Sequence, residues 1–259
     1  MEFSRRLLAL MGKMNHDPSK DKTWLDERIK KQESGWADDF NQREREKENL
    51  KWELKSLWSG ERSIAFPFER WKSSLQDNSQ LAKEVATHAY QIAQRMVTDD
   101  CNVLLTGEPG TGKTSLALAI GDYVTKHTDK HVFFINTMEL VSLFAERFDD
   151  HSVEWRLNEL QALAKKAGVL ILDDFGTEAG MKQNGYYKPV RKDMQEWLYQ
   201  IANARYDSFE NRHVGSTIIT TNNTSADLME MYNPKLISRL VTKRKQNTIS
   251  FDGLDDMRG

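Results

Sequence analysis

Eight consecutive residues carry the strongest chemical signal in this sequence. Residues 107–114, GEPGTGKT, combine three glycines with a lysine and a threonine. Because glycine has no side chain, the backbone of such a turn can wrap an anion and point successive N–H groups at phosphate oxygens. A helix that begins behind the turn adds its positive amino-terminal end. The predicted nucleotide-binding residues are Gly107, Glu108, Pro109, Gly110, Thr111, Gly112, Lys113, Thr114 and Ser115.

Polar side chains around this loop predict the chemistry of a triphosphate. Lys113 can reach the β- and γ-phosphates, and the Thr114 hydroxyl can ligate Mg²⁺. An apolar run at residues 169–172 ends in Asp173 and Asp174. Since hydrated Mg²⁺ usually binds one or two carboxylates, Asp173 is predicted to hold the ion, and Asp174 to polarise the attacking water. The alternative is that the pair consists of ordinary loop or cap residues.

Two further residues are weaker catalytic candidates. Asn222 follows the apolar run at residues 217–219, where its amide could bind the γ-phosphate or the water, but asparagine is also common in turns. Arg239 lies in LISRL, at an apolar helix start. An arginine that completes a phosphoryl-transfer site raises the rate by orders of magnitude. An ordinary surface salt bridge is an equally good interpretation of Arg239.

The apolar pattern predicts the elements that position these residues. Short unbroken apolar runs lie at residues 103–105, 132–135, 169–172 and 217–219, with a possible fifth at 247–251. Helical patterns separate them, at about 116–124, 138–148, 153–166 and 191–206. Short apolar strands alternating with helices predict an α/β fold, in which helices cover both faces of a parallel sheet.

Composition limits the class of protein. The chain has 259 residues, a formal net charge of −2 and one cysteine, Cys101, so neither a disulfide framework nor a cysteine-rich zinc site is expected. No secretory signal and no membrane-spanning run is recognisable, so we expect a cytoplasmic location. The six histidines show no ligand spacing. Any contact with nucleic acid must come from a local patch, because the charges balance.

The first 62 residues differ from the rest of the chain. A short amphipathic helix is expected near residues 3–11, and a long charged helix over 38–58 that carries Trp52 and Leu54. Two interpretations stay open: a helical hairpin that shields one flank of the main domain, or a protein-docking arm, since exposed Trp and Leu are typical interface anchors. We therefore expect a helical arm at 1–62 and a catalytic domain at 63–259.

A loop beyond the aspartates is a candidate for contact with DNA. Residues 180–192 combine several cations with two adjacent tyrosines. Cations follow a phosphate backbone, and aromatic rings stack on single-stranded bases. The predicted DNA contacts are Tyr186, Tyr187, Lys188 and Arg191. The alternative is a solvated loop with one tyrosine packed inward.

Taken together, these motifs resemble the AAA+ ATPases, and within them the DnaC/DnaI/IstB group of helicase loaders and transposition helpers. The resemblance covers roughly residues 66–258. It rests on FERW at 68–71, the phosphate-loop segment, LDDFG at 172–176, TTN at 220–222 and ISRL at 237–240. It implies a five-stranded AAA+ P-loop sheet, preceded by a small helical segment and followed by little or no lid domain. ATP and Mg²⁺ are the implied cofactors.

The resemblance also implies roles for individual residues. Lys113 and Thr114 would be Walker A, Asp173 and Asp174 Walker B, Asn222 sensor 1, and Arg239 an arginine finger acting in trans between subunits of a homo-oligomer. Position 174 departs from most AAA+ motors, which have glutamate there; this fits slow hydrolysis, stimulated by oligomerisation or DNA. Because so little chain follows the fifth strand, the resemblance assigns no role to Arg258.

The implied function is an ATP-dependent loader that binds single-stranded DNA and delivers a DnaB-like hexameric replicative helicase through the arm. Three alternatives stay open. They are an IstB-like transposition helper acting on double-stranded DNA, a nucleotide-gated adaptor with little hydrolysis, and a small-molecule kinase.

Overall fold

A sheet of five parallel strands lies at the centre of the protein. This computed structural model describes residues 40, 42–60, 65–180, 182 and 184–258. The strands are β1 (Asn102–Thr106), β2 (Val132–Asn136), β3 (Val169–Asp173), β6 (Ser216–Thr221) and β7 (Thr248–Ser250). Across the sheet they lie in the order β2-β3-β6-β1-β7. All five strands predicted from the apolar runs are thereby confirmed. Their residues are largely buried, because helices cover both faces of the sheet.

The leading helix α1 (residues 42–55) ends in a short segment that caps one edge of this sheet. Leu57 pairs with edge strand β2: its N–H donates to the carbonyl of Phe134 at 2.8 Å, and its carbonyl accepts from the N–H of Asn136 at 2.8 Å. The ring of Trp58 stacks on Phe134 with 4.2 Å between centroids. Residues 49–259 form one compact unit, so this segment is part of the unit that contains the sheet. The helix expected near residues 3–11 lies outside the described residues.

Seven further α-helices are assigned within residues 65–180, 182 and 184–258. They are α2 (Ser79–Thr98), α3 (Lys113–His127), α4 (Thr137–Glu146), α5 (His151–Lys166), α6 (Lys192–Ala204), α7 (Ser225–Met231) and α8 (Pro234–Leu240). The helices predicted from the apolar spacing are confirmed.

Alternation along the strands divides the core into two layers. Val103 and Leu105 of β1 pack with α2 and α3 on one face of the sheet. Leu104, between them, packs with the layer formed by α4, α5, α6, α7 and α8 on the other face. This alternation follows from the pleat of a strand, in which successive side chains point to opposite faces.

A small antiparallel hairpin, β4 (Tyr206–Asp207) and β5 (Arg212–His213), was not predicted. Arg205 directly precedes it and is buried beneath the sheet. Its guanidinium donates to the carbonyls of Ala164, Ala167 and Ser216 and to the Thr217 hydroxyl, at 2.6–3.1 Å. Burial lowers the pKa of Arg205 to about 10. Over the described residues, no helix is long and apolar enough to cross a membrane.

Candidate nucleotide-binding site

The glycine-rich loop connects the carboxyl end of β1 with the amino terminus of α3. Gly107, Gly110 and Gly112 all have positive φ angles, of 144°, 77° and 97°. Side chains at these positions would also collide with neighbours: a Cβ on Gly107 would lie 2.8 Å from Phe251, and one on Gly112 would lie 2.6 Å from the Trp71 ring. Glycine is therefore required for both backbone conformation and space, as expected of a loop that cradles phosphates.

Lys113 is held against the concave side of this loop. Its side chain is 5% exposed, and its ammonium donates to the carbonyls of Gly107 at 2.9 Å and Glu108 at 2.6 Å. Burial lowers the pKa of Lys113, and the negative charge of Asp174 opposes that shift. A positive charge in such a partly desolvated position interacts strongly with an anion.

Asp173 is the centre of a set of oxygen ligands. Its Oδ1 accepts hydrogen bonds from the Thr114 hydroxyl at 2.8 Å and from the Thr220 hydroxyl at 2.7 Å. Burial raises the pKa of Asp173, and hydrogen bonds from Thr220, Thr114 and Asn136 oppose the shift. Hydroxyl and carboxylate oxygens are what Mg²⁺ prefers, and the glycine cradle leaves room for phosphates beside them. These residues therefore fit an ATP–Mg²⁺ complex.

Sequence reasoning missed two members of this set, Asn136 and Thr220. Asn136 ends β2 and pairs with Asp173 in the parallel register. Thr220 lies near the end of β6, which pairs with β3 on its other side. The available signal was topological: the carboxyl ends of adjacent parallel strands meet at one edge of a sheet, so polar residues that end those strands are brought together.

Asp174 and Asn222 face a cavity of about 360 Å³ that Lys113 and Thr114 also line. Asp174 has a φ of 56°, which is uncommon for a residue with a side chain. Its N–H donates to the Thr220 hydroxyl at 3.0 Å, and its carbonyl accepts from the Thr137 hydroxyl at 2.9 Å. Three of the five predicted catalytic residues, Lys113, Asp174 and Asn222, thus line one cavity, and a fourth, Asp173, is hydrogen-bonded to Thr114 beside it.

The remaining cavity walls come from two distant segments. Trp71 and Leu75 line one side, and Met257 and Arg258 line the other. Gln76 holds the segment at residues 255–258 in place: its side chain accepts a hydrogen bond from the N–H of Asp255 at 2.6 Å and donates one to the carbonyl of Asp255 at 3.1 Å. The N–H of Met257 donates to the carbonyl of Gly110 at 3.1 Å. Sequence reasoning noted this Trp and this Arg only through the family resemblance, because spacing alone cannot show a contact between segments so far apart.

Arg239 lies at the other end of the strands, near the amino end of β1. Its guanidinium donates to the Tyr199 hydroxyl at 3.1 Å and lies over the Tyr199 ring. It lines a second cavity, of about 540 Å³, near the amino end of β1, together with Asp100, Lys243 and Arg244. Arg239 therefore does not reach the nucleotide cavity of its own chain, and its action in trans stays a prediction.

The predicted DNA-binding residues have different environments. Tyr186, Lys188 and Arg191 are exposed, although Arg191 pairs with Asp193 at 2.8 Å. Tyr187 is half-buried; its hydroxyl donates to Asn223 at 3.3 Å, and its N–H donates to Glu230 at 2.8 Å. One tyrosine is thus free to meet a ligand, while the other anchors the loop beside the end of β6.

Glu178 is a buried acid that sequence reasoning also missed. Its carboxylate accepts from the N–H of Gly176 at 2.8 Å and from the Tyr232 hydroxyl, and one of its oxygens lies 3.3 Å from the Thr137 hydroxyl oxygen. Burial raises the pKa of Glu178 to about 7. Within the described ranges, no cluster of three or more His, Cys, Asp or Glu residues could hold a metal ion.

Comparison with known proteins identifies relatives of the segment that contains this site. The model of the IstB-like ATP binding protein family matches residues 79–244. The putative ATP-binding protein of insertion sequence IS21 from Pseudomonas aeruginosa is 29% identical over 145 residues, covering 55% of this chain and 46% of that protein. The uncharacterised protein YdaV of Escherichia coli K12 is 30% identical over 111 residues, covering 42% of this chain and 43% of that protein. The matches thus span less than half of these curated relatives.

Solved structures share the fold. The crystal structure of DnaI has a TM-score of 0.51 and 18% identity, with 76% of this chain and 92% of that chain covered. Domain III of DnaA from Thermotoga maritima has a TM-score of 0.50 and 19% identity, with 76% and 69% covered. The expected AAA+ fold class is confirmed.

Proposed function

Because the chain belongs to the IstB-like ATP-binding protein family, we propose that it is a Mg²⁺-dependent ATPase whose nucleotide state controls contacts with DNA and a partner protein. One observation supports this most strongly: Lys113, Thr114, Asp174 and Asn222 converge on one cavity, with Asp173 bonded to Thr114 behind it. Hydrolysis that requires Mg²⁺ and intact Asp173 tests the proposal; a purified protein that binds neither ATP nor ADP contradicts it.

Each residue of the site has a distinct task in this mechanism. The N–H groups of the glycine loop and the Lys113 ammonium bind the phosphate oxygens. Thr114 and Asp173 would hold Mg²⁺, which when bound neutralises phosphate charge. Asp174 accepts hydrogen bonds from the attacking water and orients it, and the Asn222 amide donates to the γ-phosphate or positions the same water. Trp71, Leu75 and Met257 line the same cavity and give it apolar walls.

We propose further that the protein is a replicative helicase loader. Leu50 and Leu54 support this, because they are 52% and 74% exposed and one helical turn apart on α1. Exposed leucines at such spacing fit a groove on a partner protein. Trp52 lies on a different face, stacked on His131 with 5.5 Å between centroids. The residues available for docking on α1 are therefore the leucines.

Co-purification with a DnaB-like hexameric helicase tests the loader proposal. The double variant Leu50→Asp/Leu54→Asp should retain about tenfold less helicase than wild type, because hydrophobic anchors dominate the binding energy of such interfaces. Phe209→Ala is the control, because Phe209 is an exposed apolar residue (94%) that lies on the β4–β5 hairpin and not on α1. Equal helicase capture by the double variant and the control contradicts docking through α1.

A transposition helper is the second candidate function, and the similarity to the IS21 ATP-binding protein favours it equally. Both functions need the same ATP site, so they differ in partner and DNA. A loader should retain a helicase and prefer single-stranded DNA, whereas a helper should retain a transposase and prefer duplex DNA. In either case we propose that Tyr186 and Lys188 contact the DNA, because they are exposed and free of the pairing that occupies Arg191.

A further inference from the structure

We propose that Thr220 of strand β6 is a positioning residue that sets the geometry of both carboxylates of the nucleotide site. The proposal rests on the proposed function of that site, and it adds a residue outside the phosphate loop and the aspartate pair. No chemistry is assigned to Thr220 itself, because it lines no part of the cavity.

Three consecutive residues are held by this one threonine. Its hydroxyl donates to Oδ1 of Asp173 at 2.7 Å and accepts from the N–H of Asp174 at 3.0 Å. Its carbonyl accepts from the N–H of Phe175 at 2.9 Å. The side chain is fully buried, so water cannot replace these bonds. Thr220 therefore fixes the conformation of the turn at the end of β3.

The direction of the hydroxyl bond is determined by its partners. The N–H of Asp174 can only donate, so the Thr220 oxygen accepts there and its single hydrogen is directed to Asp173. That hydrogen bond fixes one carboxylate oxygen of Asp173, which also accepts from Thr114. Asn136 contacts Asp173 from the other neighbouring strand, but within the described contacts only Thr220 bonds to both aspartates.

Asp174 needs this support because of its backbone. A residue with a side chain at a φ of 56° is strained by on the order of 1 kcal/mol, and surrounding bonds must hold it there. The bond to Thr220 holds the N–H of Asp174, and the bond from Thr137 holds its carbonyl. Two residues beyond Thr220, the same strand leads into Asn222. Strand β6 thus positions both Asp174, the acid proposed to polarise water, and Asn222, the amide proposed to bind the γ-phosphate or the water.

Substitutions at Thr220 separate its hydroxyl from its shape. Thr220→Val keeps the volume and removes both hydroxyl bonds, whereas Thr220→Ser keeps the hydroxyl and removes the methyl group. Thr221→Val is the matched control: Thr221 is equally buried in β6, and its hydroxyl donates to the carbonyl of Phe175 rather than to an aspartate. Thr220→Ala serves as a second hydroxyl-free variant if the valine variant does not fold.

Two quantities are measured for each full-length variant: the Mg²⁺ concentration that half-maximally tightens the binding of a fluorescent ATP analogue, titrated without turnover, and kcat. Loss of the residue that orients a metal ligand typically costs 10–100-fold. We expect Thr220→Val to raise the half-saturating Mg²⁺ concentration or lower kcat by about tenfold or more, with Thr220→Ser and Thr221→Val within about twofold of wild type.

Two results overturn the proposal: wild-type Mg²⁺ dependence and kcat in the hydroxyl-free variants, or a Thr220→Ser variant as impaired as Thr220→Val. A wild-type protein that binds no nucleotide overturns the proposed function instead, and this is measured beforehand by titration. The two failures are therefore distinguishable.

Discussion

The two adjacent aspartates show how position decides chemistry at the residue scale. Asp173 is 4% exposed and bonded to two hydroxyls, so it is suited to hold a cation beside Thr114. Asp174 turns into the cavity, and its carboxylate is free to meet water there. Identical side chains, one peptide bond apart, thus have different environments because β3 ends between them.

The length of the Asp174 side chain is expected to limit the rate of hydrolysis. A glutamate would extend the carboxylate by one methylene, so Asp174→Glu should raise kcat by about tenfold, less than the roughly 10²–10⁴-fold that a positioned acid–base group contributes in full. Steady-state phosphate release measures this, with thermal melting as a check on the strained position. An unchanged kcat would contradict the assignment of Asp174 as the limiting group and count against the adaptor alternative.

Glu178 should make stability depend on pH. Its pKa is raised from the usual 4.5 to about 7 by burial, so the folded protein binds a proton more tightly than the unfolded chain. The resulting stabilisation is fully present below pH 4.5 and is lost as pH rises through about 7. Urea unfolding of wild type should therefore show a free energy of unfolding that falls, by up to about 3 kcal/mol from this group, between pH 5 and pH 8.

The matched variant isolates that effect from other groups, Asp173 included. Glu178→Gln cannot titrate, so its stability should change less over the same range. If wild type and Glu178→Gln have parallel pH profiles, Glu178 does not carry the shifted pKa.

At the scale of elements, the strands were predictable and the walls of the site were not. A strand buried on both faces must be apolar throughout, so runs such as VLIL at 169–172 can be recognised as strands from the sequence. The two-residue strands β4 and β5 leave no such pattern. Trp52 illustrates a second difficulty: a tryptophan in a charged helix has the same sequence signature whether it docks a partner or packs on His131.

Contacts distant in sequence explain the remaining omissions. Trp71 and Met257 both line the cavity although they are far apart in the sequence. No local pattern encodes such proximity. The motif residues were predictable because the phosphate chemistry itself demands glycines, a lysine and a hydroxyl at fixed spacing.

Arg205 should be essential to the attachment of the β4–β5 hairpin. Its guanidinium donates to three carbonyls, and a hydrophobic side chain at this position would remove all three hydrogen bonds. Arg205→Met should therefore lower the free energy of unfolding by about 2–4 kcal/mol. Chemical denaturation measures the loss, with exposed Arg212→Met as control. A loss below about 1 kcal/mol would show that the carbonyls find other partners.

At the scale of the whole molecule, the nucleotide cavity lies at the carboxyl ends of the strands and Arg239 lies near their amino ends. A single chain does not bring them together, so the predicted action of Arg239 in trans requires a second copy. Lys113→Ala and Arg239→Ala should each lower ATPase activity by about 10³-fold, the contribution of such groups in phosphoryl transfer. When the two variants are mixed in equal amounts, a measurable fraction of the wild-type ATPase activity should return. The Arg239→Ala variant then supplies an intact loop and the Lys113→Ala variant an intact arginine. A mixture as inactive as its components would contradict action in trans.

The central claim is that the glycine-rich loop at residues 107–114 binds ATP together with Mg²⁺. Calorimetric titration of ATP with and without Mg²⁺ tests this claim most directly. Wild type and Lys126→Ala, an exposed change in the same helix, should bind ATP alike, and more tightly when Mg²⁺ is present. Lys113→Ala should weaken binding by at least about tenfold, because a desolvated charge pair with the phosphates is lost. Equal affinity in Lys113→Ala and wild type, or no binding heat and no shift in melting temperature in any of the three, would contradict it.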